Sequence, residues 1–517
     1  MNGAQALIRT LVACGVDTCF ANPGTSEMHF VAQLDAVPEM RAVLGLFEGV
    51  VTGAADGYGR MADRPAATLL HLGPGLGNGI ANLHNARRAR TPVVNLVGDH
   101  ATYHRHYDAP LTSDIESLAR NVSAWFRSSA STAALPRDAA EAVSAARSAP
   151  GRVATMVLPA DVSWDDGGVP AAPVPPLEAG RVPEEIVDMA ARALRSGEPA
   201  AVLIGGRAVR ERGLVAAHRA AARSGAKVLG ETFPARLERG AGLPPLERLS
   251  YLAEFASAQL AGLRRLVVVD CRAPVSFFAY PGKPSDLVPD DCEVIILAGD
   301  GDDPVGALEA LADAVGAAPD AAPVAPSSRP APPTGALTGP ALAAALGALL
   351  PEGAIVSDEA QTSGVWAPDA TAGAPRHDWL TLCGGAIGQG MPLATGAAVA
   401  CPDRPVISLQ ADGSAMYTLQ SLWTQAREGL DVTTIICSNH AYAILELELS
   451  RVGVETPGPR ALGLLDISTP PIDFVALARG MGVPATRPAD SAALMNDLSA
   501  ALREPGPHLI DVEIQRG

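Results

Sequence analysis

Aromatic side chains make up only 4% of this 517-residue chain, so Ala, Val and Leu must fill its core. Long apolar runs are also missing. No uninterrupted stretch reaches the roughly 18 residues that a membrane-crossing helix needs, and the N-terminus lacks the basic, apolar and small-residue order of a signal peptide. The seven cysteines, at 14, 19, 271, 292, 383, 401 and 437, include no C-x-x-C pair. They read as scattered reduced thiols rather than a disulfide frame or a zinc site. Basic residues are outnumbered 39 to 56, which leaves a net charge of −17. So acidic a chain is a poor partner for nucleic acid. Together these absences predict a soluble cytoplasmic protein with no membrane and no nucleic-acid partner. The charge says little about a small substrate, because a basic pocket can sit in an acidic protein.

What is present is apolar and modular. Hydrophobic residues reach 48% and mean hydropathy is +0.17, enough for a large core. At about 100–200 residues per domain, the length predicts roughly two to four domains. Three α/β blocks stand out. The first has strand-like runs at 16–21, 42–47, 67–70, 93–97 and 154–158, with a helix over 4–14 and further helical stretches between the strands. A Pro/Ala-rich piece over 169–176 follows. The second block has strands at 201–204, 226–229, 266–269 and 294–297. A tract over 317–333, almost all Ala, Pro, Ser and Val, reads as an extended linker. Alternation of strand and helix predicts parallel sheets covered on both faces.

The third block carries the most informative pair of residues. Asp412-Gly413-Ser414 follows a strand over 406–409, a helix is predicted over 417–430, and a strand over 432–437 leads to Asn439, 27 positions after Asp412. A right-handed crossover makes the two strands parallel. Both side chains then leave the same sheet edge, where open α/β folds bind ligands. A carboxylate and a carboxamide are oxygen ligands of the kind an octahedral Mg²⁺ takes when it keeps a diphosphate and water. Ordinary Asp-Gly and Asn turns would look the same in isolation. Asp300 shows this: it also sits in Gly-Asp-Gly after a strand, but Ser327 lies 27 residues beyond, in the Pro/Ala tract.

Four further positions carry candidate chemistry. Glu48 follows an apolar strand and is flanked by Leu46, Phe47 and Val50, a setting that predicts desolvation and a raised carboxyl pKa. His71 ends a strand before the turn Gly73-Pro74-Gly75-Leu76-Gly77, as a proton shuttle or as a core histidine bonded to backbone. Asn22-Pro23-Gly24-Thr25-Ser26-Glu27 is a turn into a helix and doubles as an N-terminal capping box. In Cys383-Gly384-Gly385-Ala386-Ile387-Gly388-Gln389-Gly390 the glycines permit close backbone approach, with Ile387 as the single bulky side chain. His100, His104, His106 and Asp108 lie in a polar loop without metal-site spacing, which reads as a mobile loop at a site mouth.

Together these sites resemble the thiamine diphosphate (ThDP)-dependent enzymes of the pyruvate decarboxylase and acetolactate synthase superfamily. That family's metal motif is Gly-Asp-Gly followed by Asn-Asn. Here Ala411 replaces the first Gly and Ser438 the first Asn, and both ligating side chains remain. The resemblance implies three doubly wound parallel-sheet α/β domains. These are a pyrimidine-binding domain over 1–165, a middle domain over 183–312, a linker over 313–335 and a diphosphate-binding domain over 336–517. It implies Mg²⁺ on Asp412, Asn439 and the Ala441 carbonyl, with Gly413, Ser414, Gln361, Thr362 and Tyr442 around the diphosphate. Ile387 would support the bent cofactor, the Gly385 carbonyl would accept from its 4′-amino group, and Glu48 would bond N1′ of the pyrimidine. His71 would relay protons. The pattern around Thr25 is similar to that of benzoylformate decarboxylase, with Thr for Ser, although Phe278 stands where that subfamily places a second histidine. The implied reaction is decarboxylation of a 2-oxo acid, or carboligation to a 2-hydroxyketone, in a homodimer or homotetramer with sites between subunits. Acetolactate synthase acting on pyruvate and a silent ThDP-binding homologue are the alternatives. FAD is not expected, because Asp270-Cys271-Arg272-Ala273-Pro274 replaces the Arg-Phe-Asp-Asp-Arg stretch of FAD-binding relatives.

Overall fold

A computed structural model describes residues 1–514; positions 515–517 of the third predicted block lie outside the described residues. Three sheets organise the chain. In the first, the strands lie side by side in the order Arg41–Leu44, Thr18–Asn22, Ala66–Leu70, Val93–Asp99, Val153–Pro159 and Trp125–Ser128, every neighbouring pair parallel. The second runs Glu247–Arg248, Lys227–Gly230, Ala200–Ile204, Arg265–Val269 and Glu293–Ala298, again all parallel. The third runs Ala485–Thr486, His508–Glu513, Val432–Ser438, Val406–Ala411, Ile355–Glu359 and His377–Thr381, closed by the antiparallel segment Leu237–Arg239. Strands such as Val153–Pro159 and Val432–Ser438 are buried at every residue. That is why they read as continuous apolar runs, as in parallel sheets enclosed by helices on both faces.

The departures from the expected elements have local causes. The predicted strand 42–47 ends at Leu44, because the chain turns at Gly45 and Glu48 opens the helix Glu48–Ala62. The predicted helix 417–430 begins only at Ser421, after a short helix Asp412–Ala415 and a run of turns. In those turns Thr418 Oγ1 donates to the Gly388 carbonyl at 2.9 Å, and Leu419 is buried. Strands Ile355–Glu359 and His377–Thr381 escaped sequence reading. His377-Asp378-Trp379 looks polar, yet Asp378 is matched by Arg236 and Arg404, both at 2.6 Å, and Trp379 is fully buried. Truncating such a residue costs about 3–5 kcal/mol.

The first and third sheets share a core. Helices Glu48–Ala62 and Gly390–Ala400 pack so closely that a Cβ at Gly57 would overlap the Leu393 carbonyl, and one at Gly396 the Ala54 carbonyl. This contact holds the glycine-rich loop before Gly390 against the helix Leu72–Arg88 and so positions the candidate site.

Candidate active site

The Asp412–Asn439 pair is built by strand register. Gln410 stands opposite Ile436 and Ala411 opposite Cys437, so Asp412 leaves the sheet beside Ser438 and Asn439. Asp412 is buried and begins a short helix. Its Oδ1 accepts from the Gly413 amide at 2.8 Å and its Oδ2 from the His440 amide at 2.6 Å. Burial pushes this carboxyl above its ordinary range, and the backbone amides and His440 oppose the shift. Among the described residues no Lys or Arg pairs with it. Asn439 Oδ1 accepts from the Ala441 amide at 3.0 Å, while its Nδ2 lies 3.5 Å from Ser363 Oγ. This brings the turn that carries Gln361 and Thr362 to the pair, both half-buried. The Tyr442 ring lies against Gly413, where any Cβ would meet its Cε1. Ser414 Oγ donates to the Ala411 carbonyl and accepts from Gln410 Nε2 at 2.6 Å. The substituted Ser438 is buried and donates to Asp511, which is itself paired with Arg487. That hydroxyl is therefore engaged on the far side of the strand.

Gly385 and Ile387 sit in the loop between strand His377–Thr381 and helix Gly390–Ala400. Gly385 is exposed with φ +75°, a left-handed conformation that glycine adopts readily, and Ile387 is half-buried. Asparagines of the helix Leu72–Arg88 clamp this loop. Asn85 Nδ2 donates to the Ala386 carbonyl at 2.8 Å. Asn82 Nδ2 reaches both the Gly388 carbonyl at 3.3 Å and the Gly49 carbonyl at 2.8 Å, which ties the backbone next to Ile387 to that next to Glu48.

Glu48 is the first residue of its helix and is half-buried in the single chain, with Leu46 beside it 49% exposed. Its Oε2 accepts from Asn78 Nδ2 at 3.0 Å. Gly75 leaves room for it: a Cβ there would lie 3.2 Å from Glu48 Oε1 and 3.5 Å from His71 Cβ. His71 precedes the helix Leu72–Arg88, and its Nδ1 lies 2.8 Å from Glu27 Oε2. Glu27, the carboxylate of the turn that doubles as a capping box, is the partner of this histidine. It does cap, accepting from the Gly24 amide at 2.7 Å, but its carboxylate is buried and faces the histidine. Burial pushes the Glu27 carboxyl up, and His71 and the Gly24 amide counter it. Gly98 is obligatory below it, because a Cβ there would overlap Glu27 Oε1. Thr25 is exposed at the start of the same turn.

Two other sequence candidates stand apart. Phe278 is 59% exposed, whereas its neighbour Phe277 packs edge-on against Phe233 at 5.3 Å. Along the loop that follows Asp99, Arg105 pairs with Asp99 at 2.7 Å, and the His100 and His104 rings lie 5.3 Å apart. Among the described residues no three His, Cys, Asp or Glu converge as a metal cluster there, and no helix is long and apolar enough to cross a membrane.

Comparison with known proteins decides the family. The models "Thiamine pyrophosphate enzyme, N-terminal TPP binding domain" and "Thiamine pyrophosphate enzyme, C-terminal TPP binding domain" match residues 1–121 and 361–512. The chain belongs to the thiamine pyrophosphate enzyme family. This thiamine pyrophosphate enzyme is 62% identical over 515 residues to the provisionally named acetolactate synthase large subunit IlvX of Mycobacterium tuberculosis, covering 99% of each chain. It is 30% identical to benzoylformate decarboxylase of Pseudomonas aeruginosa, covering 97% of this chain and 96% of that one. In structure it matches the thiamine diphosphate-dependent 4-hydroxybenzoylformate decarboxylase of Rhodococcus jostii RHA1 with a TM-score of 0.86, 25% identity and full coverage of both chains. The donor set fits the cofactor's metal. Asp412 is a buried carboxylate with no Lys or Arg partner among the described residues, beside a carboxamide oxygen, at an edge where a helix begins. A hard divalent ion carrying a diphosphate would supply the missing charge.

Proposed function

We propose that this chain is a ThDP- and Mg²⁺-dependent enzyme that decarboxylates a 2-oxo acid without oxidation, or ligates the acyl unit to a second carbonyl to form a 2-hydroxyketone. The observation that carries this reading is the Glu27–His71 pair placed beside Glu48 across Gly75. Asp412, Asn439 and the Ala441 carbonyl hold Mg²⁺. Gly413, Ser414, Gln361, Thr362 and Tyr442 surround the diphosphate, and the Gly385 carbonyl, Ile387 and Glu48 receive the pyrimidine. When bound, ThDP supplies the electron sink that makes loss of CO₂ possible. Glu48 holds the proton at N1′. His71, oriented by Glu27, moves a proton to and from the reacting substrate, and the Thr25 hydroxyl orients the oxo acid.

The sites are completed in a homodimer or homotetramer. Met416, Tyr417, Leu445, Leu447 and Leu464 are exposed around the Asp412–Tyr442 end, and Leu46 beside Glu48. An apolar border of this size favours burial against another subunit.

Acetolactate synthesis from pyruvate is the second reading, favoured by the name of the 62%-identical relative. Against an FAD-bearing version, the Gly206 and Arg207 amides at the middle sheet's edge are occupied by the chain's own Glu231 and Asp270. A panel of 2-oxo acids with ThDP and Mg²⁺, read by CO₂ release and product mass, separates the readings. Aryl or branched oxo acids giving an aldehyde support decarboxylation. Acetolactate from pyruvate supports the synthase, and no turnover of any acid supports a silent homologue.

A further inference from the structure

Glu359 ends the strand Ile355–Glu359 and is almost completely buried. Its Oε1 accepts from the Gly388 amide at 2.6 Å, and its Oε2 accepts from the Gly390 amide at 2.5 Å and from Gln410 Nε2 at 3.0 Å. A buried carboxylate is costly unless such donors satisfy it. Among the described residues no Lys or Arg contributes; burial pushes the carboxyl up, and amide donors oppose that. The two backbone donors bracket the turn directly after Ile387. Gly390 must be glycine for this approach, since a Cβ there would crowd Glu359 Oε2 and Gln410 Oε1. Gln410 is the cross-strand neighbour of Glu359, and the same Nε2 lies 2.6 Å from Ser414 Oγ, two residues after Asp412. Gln410 Oε1 is buried without a hydrogen-bond partner among the described residues, and the amide is held through its nitrogen.

We propose that Glu359 is a positioning residue: it sets the Gly385–Ile387 turn and couples it, through Gln410, to the Asp412–Ser414 helix start, so that the pyrimidine and diphosphate ends of one cofactor are held in register. This rests on the ThDP reading given above. A plain helix cap for Gly390–Ala400 would use the Gly390 amide but would have no need of the Gln410–Ser414 bridge.

The test uses the full-length protein with Mg²⁺ and ThDP and the variant Glu359→Gln, which preserves shape but turns a donor toward one of the two glycine amides. ThDP affinity should weaken and the kcat of the saturated enzyme should fall, each at least about tenfold, because misplacing reacting groups by about 1 Å can cost roughly 10²-fold. In the cofactor-free protein, amide exchange over 384–391 should accelerate while that of the strand Val93–Asp99 stays unchanged. A second variant, Gln410→Met, leaves both glycine bonds in place and keeps the proposal testable if Glu359→Gln folds poorly. In it, ThDP with Mg²⁺ should protect 384–391 less than in the wild type. A Glu359→Gln protein with wild-type ThDP affinity, wild-type kcat and only a lowered melting temperature would overturn the proposal in favour of a cap. Equal protection of 384–391 by ThDP in Gln410→Met and wild type would overturn the coupling. A wild-type protein that binds no ThDP would overturn the reading of the site itself.

Discussion

Two sheet edges in this molecule carry buried carboxylates in nearly the same topological place, and they differ in what neutralises them. At the middle sheet, Glu231 accepts from the Gly206 amide at 2.8 Å and Asp270 from the Arg207 amide at 2.7 Å. Arg90 pairs with Asp270 and with Asp300, the latter at 2.6 Å. That edge brings its own cation and fills its own amide nest. At the third sheet, Asp412 has backbone amides and a neighbouring histidine but, among the described residues, no guanidinium or ammonium. On the proposed reading, an Asp-Gly turn after a parallel strand holds an ion where no Lys or Arg side chain pairs with its carboxylate. The same contrast explains why Asp300 resembles Asp412 in sequence yet ends in an intramolecular salt bridge.

The comparison can be broken most severely at Glu48 and Asp412. Glu48→Gln should lower turnover by roughly 10²–10⁴-fold, the scale of a lost acid–base group, while ThDP stays bound. Unchanged turnover in steady-state assays would contradict its role. Asp412→Asn should weaken Mg²⁺-dependent ThDP binding by more than the roughly 10–100-fold that outer partners of a metal site cost, as read by calorimetric titration. Glu27→Gln should reduce kcat about 10–100-fold with little change in ThDP affinity, because it acts through His71.

At the middle sheet the effects should fall on stability instead. Arg90→Met removes the ion-pair partner of buried Asp270 and leaves it the Arg207 amide, which costs up to about 3–5 kcal/mol, visible as a lower unfolding midpoint with ThDP affinity unchanged. Glu231 should show the smallest effect. Burial raises its carboxyl from 4.5 to about 7. The folded protein therefore keeps a proton that the unfolded chain releases. This contribution is full below about pH 4.5 and is lost as the pH rises through about 7. Glu231→Gln should stabilise the protein at pH 8 relative to the wild type more than at pH 5, by roughly 2–3 kcal/mol. Equal shifts at both pH values in thermal unfolding would remove Glu231 from the comparison.

Much of this was legible before the structure. The doubly wound sheets follow from apolar runs that parallel strands produce when both faces are covered, and Asp412 with Asn439 follows from strand–helix–strand spacing. What escaped notice depends on contacts between distant segments. Leu237–Arg239 reads as part of the middle block but pairs with His377–Thr381. The strand carrying Trp379 is hidden by Asp378, which becomes tolerable only once Arg236 and Arg404 arrive. Glu27 looked like a capping carboxylate and is one, and its second partner, His71, lies 44 residues away. Glu359 was hidden with its strand, and its partners Gly388, Gly390 and Gln410 lie 29 to 51 residues further along the chain.

Thermal unfolding with and without ThDP and Mg²⁺, run in parallel on the wild type, Asp412→Asn and Asp300→Asn, tests the contrast between the two edges most directly. The wild type and Asp300→Asn should gain the same cofactor-dependent rise in midpoint, and Asp412→Asn should gain little or none. A full rise in Asp412→Asn, or its loss in Asp300→Asn, would contradict the assignment of the metal and diphosphate to the third sheet.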